Sequence, residues 1–284
     1  MSNETRQNNE VFGASQASQA GFQTRNVMKD DFDYEVPIES VPIPSSGIIY
    51  PPESGLYSKE SIEIKAMTAK EEDILTSRAL IKKGTVITEL IKSCVIDKSI
   101  NVDDMISGDR NALMTALRIT GYGSEYNVQV DCPECGTTNK PTFDLAGLPI
   151  KRLEIQPVAE GSNLFEFQLP VTKKTVQFKF LTGKDEADMT TIQERQKKQG
   201  MKSDNLVTSR LQYSIVSING VTDKTKINMF IRNMPARDSL SLRKYIDSNE
   251  PGIEMKSWMQ CEACHEHSEV NLPIGASFFW PDSE

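Results

Sequence analysis

Apolar and polar positions alternate over residues 61–67, with Ile62, Ile64 and Ala66 on one side and Glu63 and Lys65 on the other. That two-residue period predicts a strand. Thr68-Ala-Lys-Glu71 follows as a capping box, in which hydroxyl and carboxylate satisfy orphan amides at a helix start. The helix it opens is expected to reach about Lys83, where Gly84 ends it. Ile87, Leu90, Ile91, Cys94 and Val95 fall on one stripe of a second helix, which places Cys94 as a buried, inert thiol. A third helix starts near Asp109 and buries Leu113, Ala116 and Leu117. Tyr126, Val128 and Val130 then alternate as a strand leading into Cys132, and residues 142–145 return.

The second half repeats this order. Lys65 and Thr68 correspond to Lys179 and Thr182, 114 residues later, with the capping signal now Thr182-x-x-Asp185. Further on the offset is 129: Asp109 with Asp238, Leu113 with Leu242, Gly123 with Gly252, and Cys132 and Cys135 with Cys261 and Cys264. The difference falls around the middle helices of the second copy, whose second helix is expected to carry Leu211, Ile215 and Ile218. The pattern predicts an α+β protein of two homologous strand–helices–strand lobes. The first lobe spans 61–145 and the second 176–275, joined by connecting strands over 146–175 that include one at 164–169.

The ends have a different texture. Residues 1–34 are rich in Asn and Gln and lack any period, which predicts a disordered or partner-bound arm. Residues 35–60 carry prolines 37, 42, 44, 51 and 52, so this segment should be extended, with a turn at Ser45-Ser46-Gly47, docking on the body or on a partner. Phe278, Phe279 and Trp280, in the tail 276–284, suit either core closure or subunit contact, and a partner contact is expected of them. No apolar run approaches the ~20 residues that span a bilayer, and no signal-peptide core opens the chain, so neither membrane nor export is expected.

Charge and cysteine usage sharpen this. With 32 basic against 40 acidic residues the net charge is −8, which weighs against nucleic acid as a partner. Four of the five cysteines form two Cys-x-x-Cys pairs, Cys132/Cys135 and Cys261/Cys264. Cys132-Pro-Glu-Cys135-Gly136 reads as a zinc knuckle, whose Gly permits the positive φ at which amides approach sulfur. The second knuckle has His265 in place of that Gly. The 125 residues between the pairs exceed a zinc-ribbon spacing, but two related lobes could bring their knuckles face to face. Four thiolates would then close a structural Zn(2+) site. Other readings stand beside it: a redox pair, unmetallated thiols, or catalytic zinc using His265 or His267. No phosphate-binding loop, nucleophile elbow or His-Glu-x-x-His helix is present, and two histidines supply little acid–base chemistry.

Pro-Ile-Pro-Ser-Ser-Gly-Ile-Ile-Tyr-Pro at 42–51, Thr-Ala-Lys-Glu-Glu at 68–72 and Asp-Cys-Pro-Glu-Cys-Gly at 131–136 together resemble baseplate hub and hub-assembly proteins of T4-like contractile-tailed bacteriophages. The resemblance implies a non-enzymatic structural or assembly component of a tail baseplate, located in the virion and assembled in the host cytoplasm. Its partners would be other baseplate and tail proteins, met through the N-terminal arm (1–57) and the C-terminal aromatics. It supplies no catalytic residues. Two alternatives remain from the cysteines alone: a nucleic-acid-binding zinc-ribbon accessory protein, which would show a basic face, and a zinc-dependent hydrolase. Asp131, Glu134, Glu262 and Glu266 around the knuckles argue against the first.

Overall fold

A computed structural model describes residues 36–198, 206–274 and 278–279. The arm 1–34 and Trp280 lie outside these residues.

Strand β1 (Ile38–Pro42) pairs antiparallel with β2 (Ser61–Lys65), with Ile38 opposite Lys65 and Pro42 opposite Ser61. The proline-rich segment between them turns at Ser46 and Gly47, both at positive φ (52° and 73°). Glycine is required at the second position, because a Cβ there would sit 2.4 Å from the Lys59 nitrogen and 2.5 Å from the Leu56 carbonyl. Val41, Ile43, Ile49, Tyr50 and Leu56 are all buried. This part of the expected partner-contact arm therefore belongs to the body. Its apolar side chains find enough surface on their own chain.

Helices α1 (Ala69–Thr76), α2 (Arg78–Lys83), α3 (Val86–Cys94) and α4 (Ser107–Tyr122) follow. The capping box at Thr68 and Glu71 forms. The single helix expected to Lys83 is instead two, broken at Ser77 (ψ 104°). Thr76 Oγ1 donates back to the carbonyls of Glu72 and Asp73 (3.0 and 3.3 Å), the kind of bond that bends a helix where few contacts hold it straight. Gly84, at φ 69°, caps α2 as expected. The third helix begins at Ser107 rather than Asp109, and Asp109 turns inward.

The expected strand into Cys132 is two short pieces, β3 (Glu125–Asn127) and β4 (Val130–Asp131). They pair in one continuous register with β6 (Thr142–Asp144) and β5 (Thr138–Asn139). Beyond β7 (Ile150–Lys151) come β8 (Phe165–Gln168), β9 (Thr175–Phe178), α5 (Gly183–Lys198), α6 (Leu206–Ser214) and β10 (Ile215–Ile218). Strands β8, β9 and β10 form one sheet with β9 central. Ile215 and Ile218, expected on a helix, are strand residues; Ile-Val-Ser-Ile is β-branched and pairs with β9 through a bulge. The chain continues through α7 (Lys224–Asn233), α8 (Ala236–Asn249) and β11 (Gly252–Ile253), which pairs with β7. The ribbon of β12 (Lys256–Gln260) and β13 (His267–Asn271) follows.

The two halves repeat several contacts. Asn127 faces Thr142 and Val130 faces Asn139, while Lys256 faces Asn271 and Met259 faces Ser268, each pair displaced by 129 residues. Ile64 bridges Val95 as Phe178 pairs Ile215. Lys65 reaches Glu71 as Lys179 reaches Asp185, both at 2.7 Å. Asp109 and Asp238 are fully buried. Asp109 accepts from the Ser45 amide and hydroxyl and from Tyr50 (2.9, 2.5 and 2.6 Å). Asp238 accepts from the amides of Val171 and Thr172 (2.7 and 3.0 Å). Each carboxylate thus pins the loop between two paired strands.

One apolar cluster runs through both halves, from Val41 to Phe279. The halves also meet through backbone: Ser107 N–H donates to Leu181 O (2.8 Å) and Gly183 N–H to Met105 O (3.0 Å). Gly108 touches Pro251 so closely that a Cβ would lie 1.7 Å from its carbonyl oxygen. Arg110 bonds Thr88 (2.8 Å) and pairs with Glu186 (3.3 Å). Phe278 and Phe279, expected as a partner contact, are 0% and 1% exposed. Phe278 packs edge-on against Tyr126, and its carbonyl accepts from Arg118 Nε at 2.7 Å. These rings close the core, because burying them on their own chain removes their apolar surface from water.

Candidate metal centre

Each Cys-x-x-Cys sits at the tip of a two-stranded ribbon, β4–β5 in the first half and β12–β13 in the second. The local geometry is the same in both. Cys132 N–H donates to Thr137 O (2.9 Å) and Cys261 N–H to Glu266 O (3.0 Å). Gly136 N–H returns to Cys132 O (2.9 Å), and His265 N–H to Cys261 O (3.0 Å). The fifth residue must take positive φ for that return bond to form. Gly136 does so at 72° and His265 at 61°. Histidine thus occupies backbone space that favours glycine, and its side chain points to solvent.

The two tips face each other. The four Sγ atoms of Cys132, Cys135, Cys261 and Cys264 lie within 4.8 Å of one another. The cross-tip contacts are 3.7 Å for Cys132–Cys264 and 3.6 Å for Cys135–Cys261, and all four thiols are free. A disulfide holds its sulfurs at about 2.0 Å. A tetrahedron built on metal–sulfur bonds of about 2.3 Å has edges of about 3.8 Å. The two cross-tip contacts are far from the first value and close to the second. The set can hold a metal ion, and it contains cysteines alone: neither His265 nor His267 joins it.

The electrostatics divide the thiols. The amides of Cys264 and Ala263 draw the Cys261 thiol down to about 6. The Thr137 hydroxyl and amide lower Cys135. For Cys264 the Glu266 amide pulls down, but burial and three neighbouring thiols outweigh it and push the group up to about 12. Backbone dipoles thus favour negative sulfur at Cys261 and Cys135, while burial and the neighbouring thiols oppose it at Cys264. Cys94 stands apart on α3, fully buried, and burial pushes it up to about 12. It is the inert thiol its stripe predicts.

Two kinds of residue around this framework were not singled out as site residues by sequence. Asn139, 4% exposed, reaches from β5 to the second tip. Asp109 and Asp238 carried a signal, the shared 129-residue offset, but a carboxylate at a helix start reads first as a cap.

No helix among the described residues is long and apolar enough to cross a membrane. Comparison with known proteins returned no matching curated protein and no matching solved structure. A family model did match: residues 51–280, which take in α1 through Phe279 and both cysteine pairs, fit the family described as T4 bacteriophage base plate protein. The chain therefore belongs to the T4 bacteriophage base plate protein family.

Proposed function

We propose that this chain is a non-enzymatic structural component of a phage tail baseplate, placed in the hub region, whose two lobes are held by one structural zinc at Cys132, Cys135, Cys261 and Cys264. The family match over 51–280 carries the baseplate role and with it a location in the virion tail among other baseplate and tail proteins. Hub placement rests on the motifs at 42–51, 68–72 and 131–136. Assembly in the host cytoplasm follows from the same reading, with residues 1–34 as the arm that meets a neighbour.

The lobes are read as an ancient internal duplication. The repeated strand registers, the paired capping boxes, and the two buried aspartates that pin equivalent loops support it. So does His265, which carries the backbone conformation of Gly136. The first lobe is taken as 61–145 and the second as 176–275, with 146–175 connecting them. Zinc is favoured over other ions because four soft sulfurs at tetrahedral spacing suit it and leave no open position for a reacting water. Such a site can contribute ~10–16 kcal/mol, enough to make folding depend on the metal.

Purified protein should carry one zinc per chain by elemental mass spectrometry, and Cys132→Ser should lose it. Purified tails should contain the chain in fixed ratio to other baseplate proteins. A metal-free, fully folded protein indifferent to Cys132→Ser would overturn the zinc clamp. Absence from tails and from every assembly intermediate would overturn the baseplate role.

A further inference from the structure

Asn139 is almost wholly buried, and every polar atom of its side chain is spoken for. Its Oδ1 accepts the Glu262 N–H across the interface between the tips, at 2.9 Å. Its Nδ2 donates to Thr137 O at 2.8 Å and to Cys261 Sγ at 3.6 Å. The orientation of the amide is fixed by these partners: a backbone N–H can only donate and a backbone carbonyl only accept. One side chain from the first ribbon therefore grips both the backbone and the leading sulfur of the second.

The two knuckles are not equivalent here, and the difference has a physical reason. The position of Glu262 in the second knuckle corresponds to Pro133 in the first, which has no N–H. The second knuckle thus carries a backbone N–H that the first does not, and Asn139 accepts it. The counterpart of Asn139 is Ser268, buried but with a shorter side chain. The long amide lies on the strand that reaches the knuckle with the N–H, and the other half carries the short hydroxyl at the corresponding position.

We propose that Asn139 is a positioning residue for the four-thiol centre, locking the second knuckle onto the first and hydrogen-bonding the Cys261 sulfur. This rests on the reading that the four cysteines hold a metal ion. An N–H donor to a metal-bound thiolate orients the sulfur and moderates its charge, and removing such supporting partners typically costs roughly 10–100-fold in metal affinity.

The test uses full-length protein loaded with zinc or with cobalt(II). Zinc transfer to a chromogenic chelator gives the release rate, and the sulfur-to-cobalt charge-transfer band reports the hydrogen bond to sulfur. Asn139→Ala should keep one metal per chain, release it roughly 10–100-fold faster and shift the band. Glu262→Pro copies the residue of the first knuckle and removes the N–H that Oδ1 accepts, together with the exposed Glu side chain. In that background the effect of Asn139→Ala on release should shrink, because the two substitutions remove a shared interaction. Should Asn139→Ala fail to fold, Asn139→Ser copies the counterpart residue of the other half and takes the amide away from the sulfur, and the same band shift is expected of it. A wild-type protein that binds no metal overturns the metal reading and this proposal with it. A metal-loaded wild type, with unchanged release and band in the folded variants, overturns the role of Asn139 alone.

Discussion

His265→Gly tests the geometry of the second knuckle with a single substitution. His265 holds φ at 61° so that its N–H can return to Cys261 O at 3.0 Å. Its imidazole is exposed, so little packing is lost with it. A side chain in the left-handed region costs roughly 1–2 kcal/mol, at the lower end for histidine, which tolerates it better than most residues. Glycine removes that strain but widens the unfolded ensemble by about 0.4–1 kcal/mol. The net expectation is a gain of about 0.5 kcal/mol, or a rise of about 1–2 °C in the unfolding midpoint at this size. The reciprocal Gly136→His puts the same strain into the first knuckle and should lower stability by a similar amount. The double exchange should return close to wild type.

Thermal unfolding under a fixed excess of free zinc reads all three variants, since metal linkage would otherwise move the midpoint with concentration. Metal content should be one per chain throughout. The hydrolase alternative predicts the opposite outcome, because there His265 would be a ligand and its loss would empty the site. A glycine variant less stable than wild type by 1 kcal/mol or more, or one that loses the metal, refutes the equivalence of the two knuckles.

Two further predictions concern the body. Gly108→Ala drives a methyl into the Pro251 carbonyl, 1.7 Å from the added carbon, and should destabilise by about 1–3 kcal/mol in urea unfolding while leaving the metal bound; an unchanged midpoint would show that the contact between halves yields freely. Glu71 is held at about 2: burial alone would raise it, but hydrogen bonds from Lys65, Ser93 and Thr68 outweigh that. Because the folded value lies below the unfolded one, this stabilisation is fully present above about pH 5 and is lost as pH falls toward 2. Allowing for the water that reaches Lys65, it amounts to about 2 kcal/mol, so Glu71→Gln should flatten that part of the acid-unfolding profile, and an unaltered profile would refute the assignment.

What the chain reveals on reading divides by the reach of each interaction. The capping boxes at Thr68 and Thr182 and the knuckle turns at Gly136 and His265 are closed by partners within about five residues, so composition and spacing suffice to find them. Leu211, Ile215 and Ile218 have spacings of four and three, which suit a helix stripe. Only the pairing of Ile215 with Phe178 makes the latter two strand residues, and Phe178 lies in another element. The turn at Ser46-Gly47 could be read, but not that Ser45 and Tyr50 would close on Asp109, 64 and 59 residues away. Asn139 is the extreme case, since its partner amide is 123 residues distant and belongs to a residue unremarkable in itself. The offset of 129 residues is what bridges the two scales. Several contacts inside one half have a counterpart in the other at that offset, and departures from the correspondence can be read off residue by residue. His265 for Gly136, Glu262 for Pro133 and Ser268 for Asn139 are three such departures, and all three lie within a few residues of the four sulfurs. The asymmetry around Asn139 lies where the two tips meet, and it is the part of the candidate centre that either knuckle, read alone, leaves out.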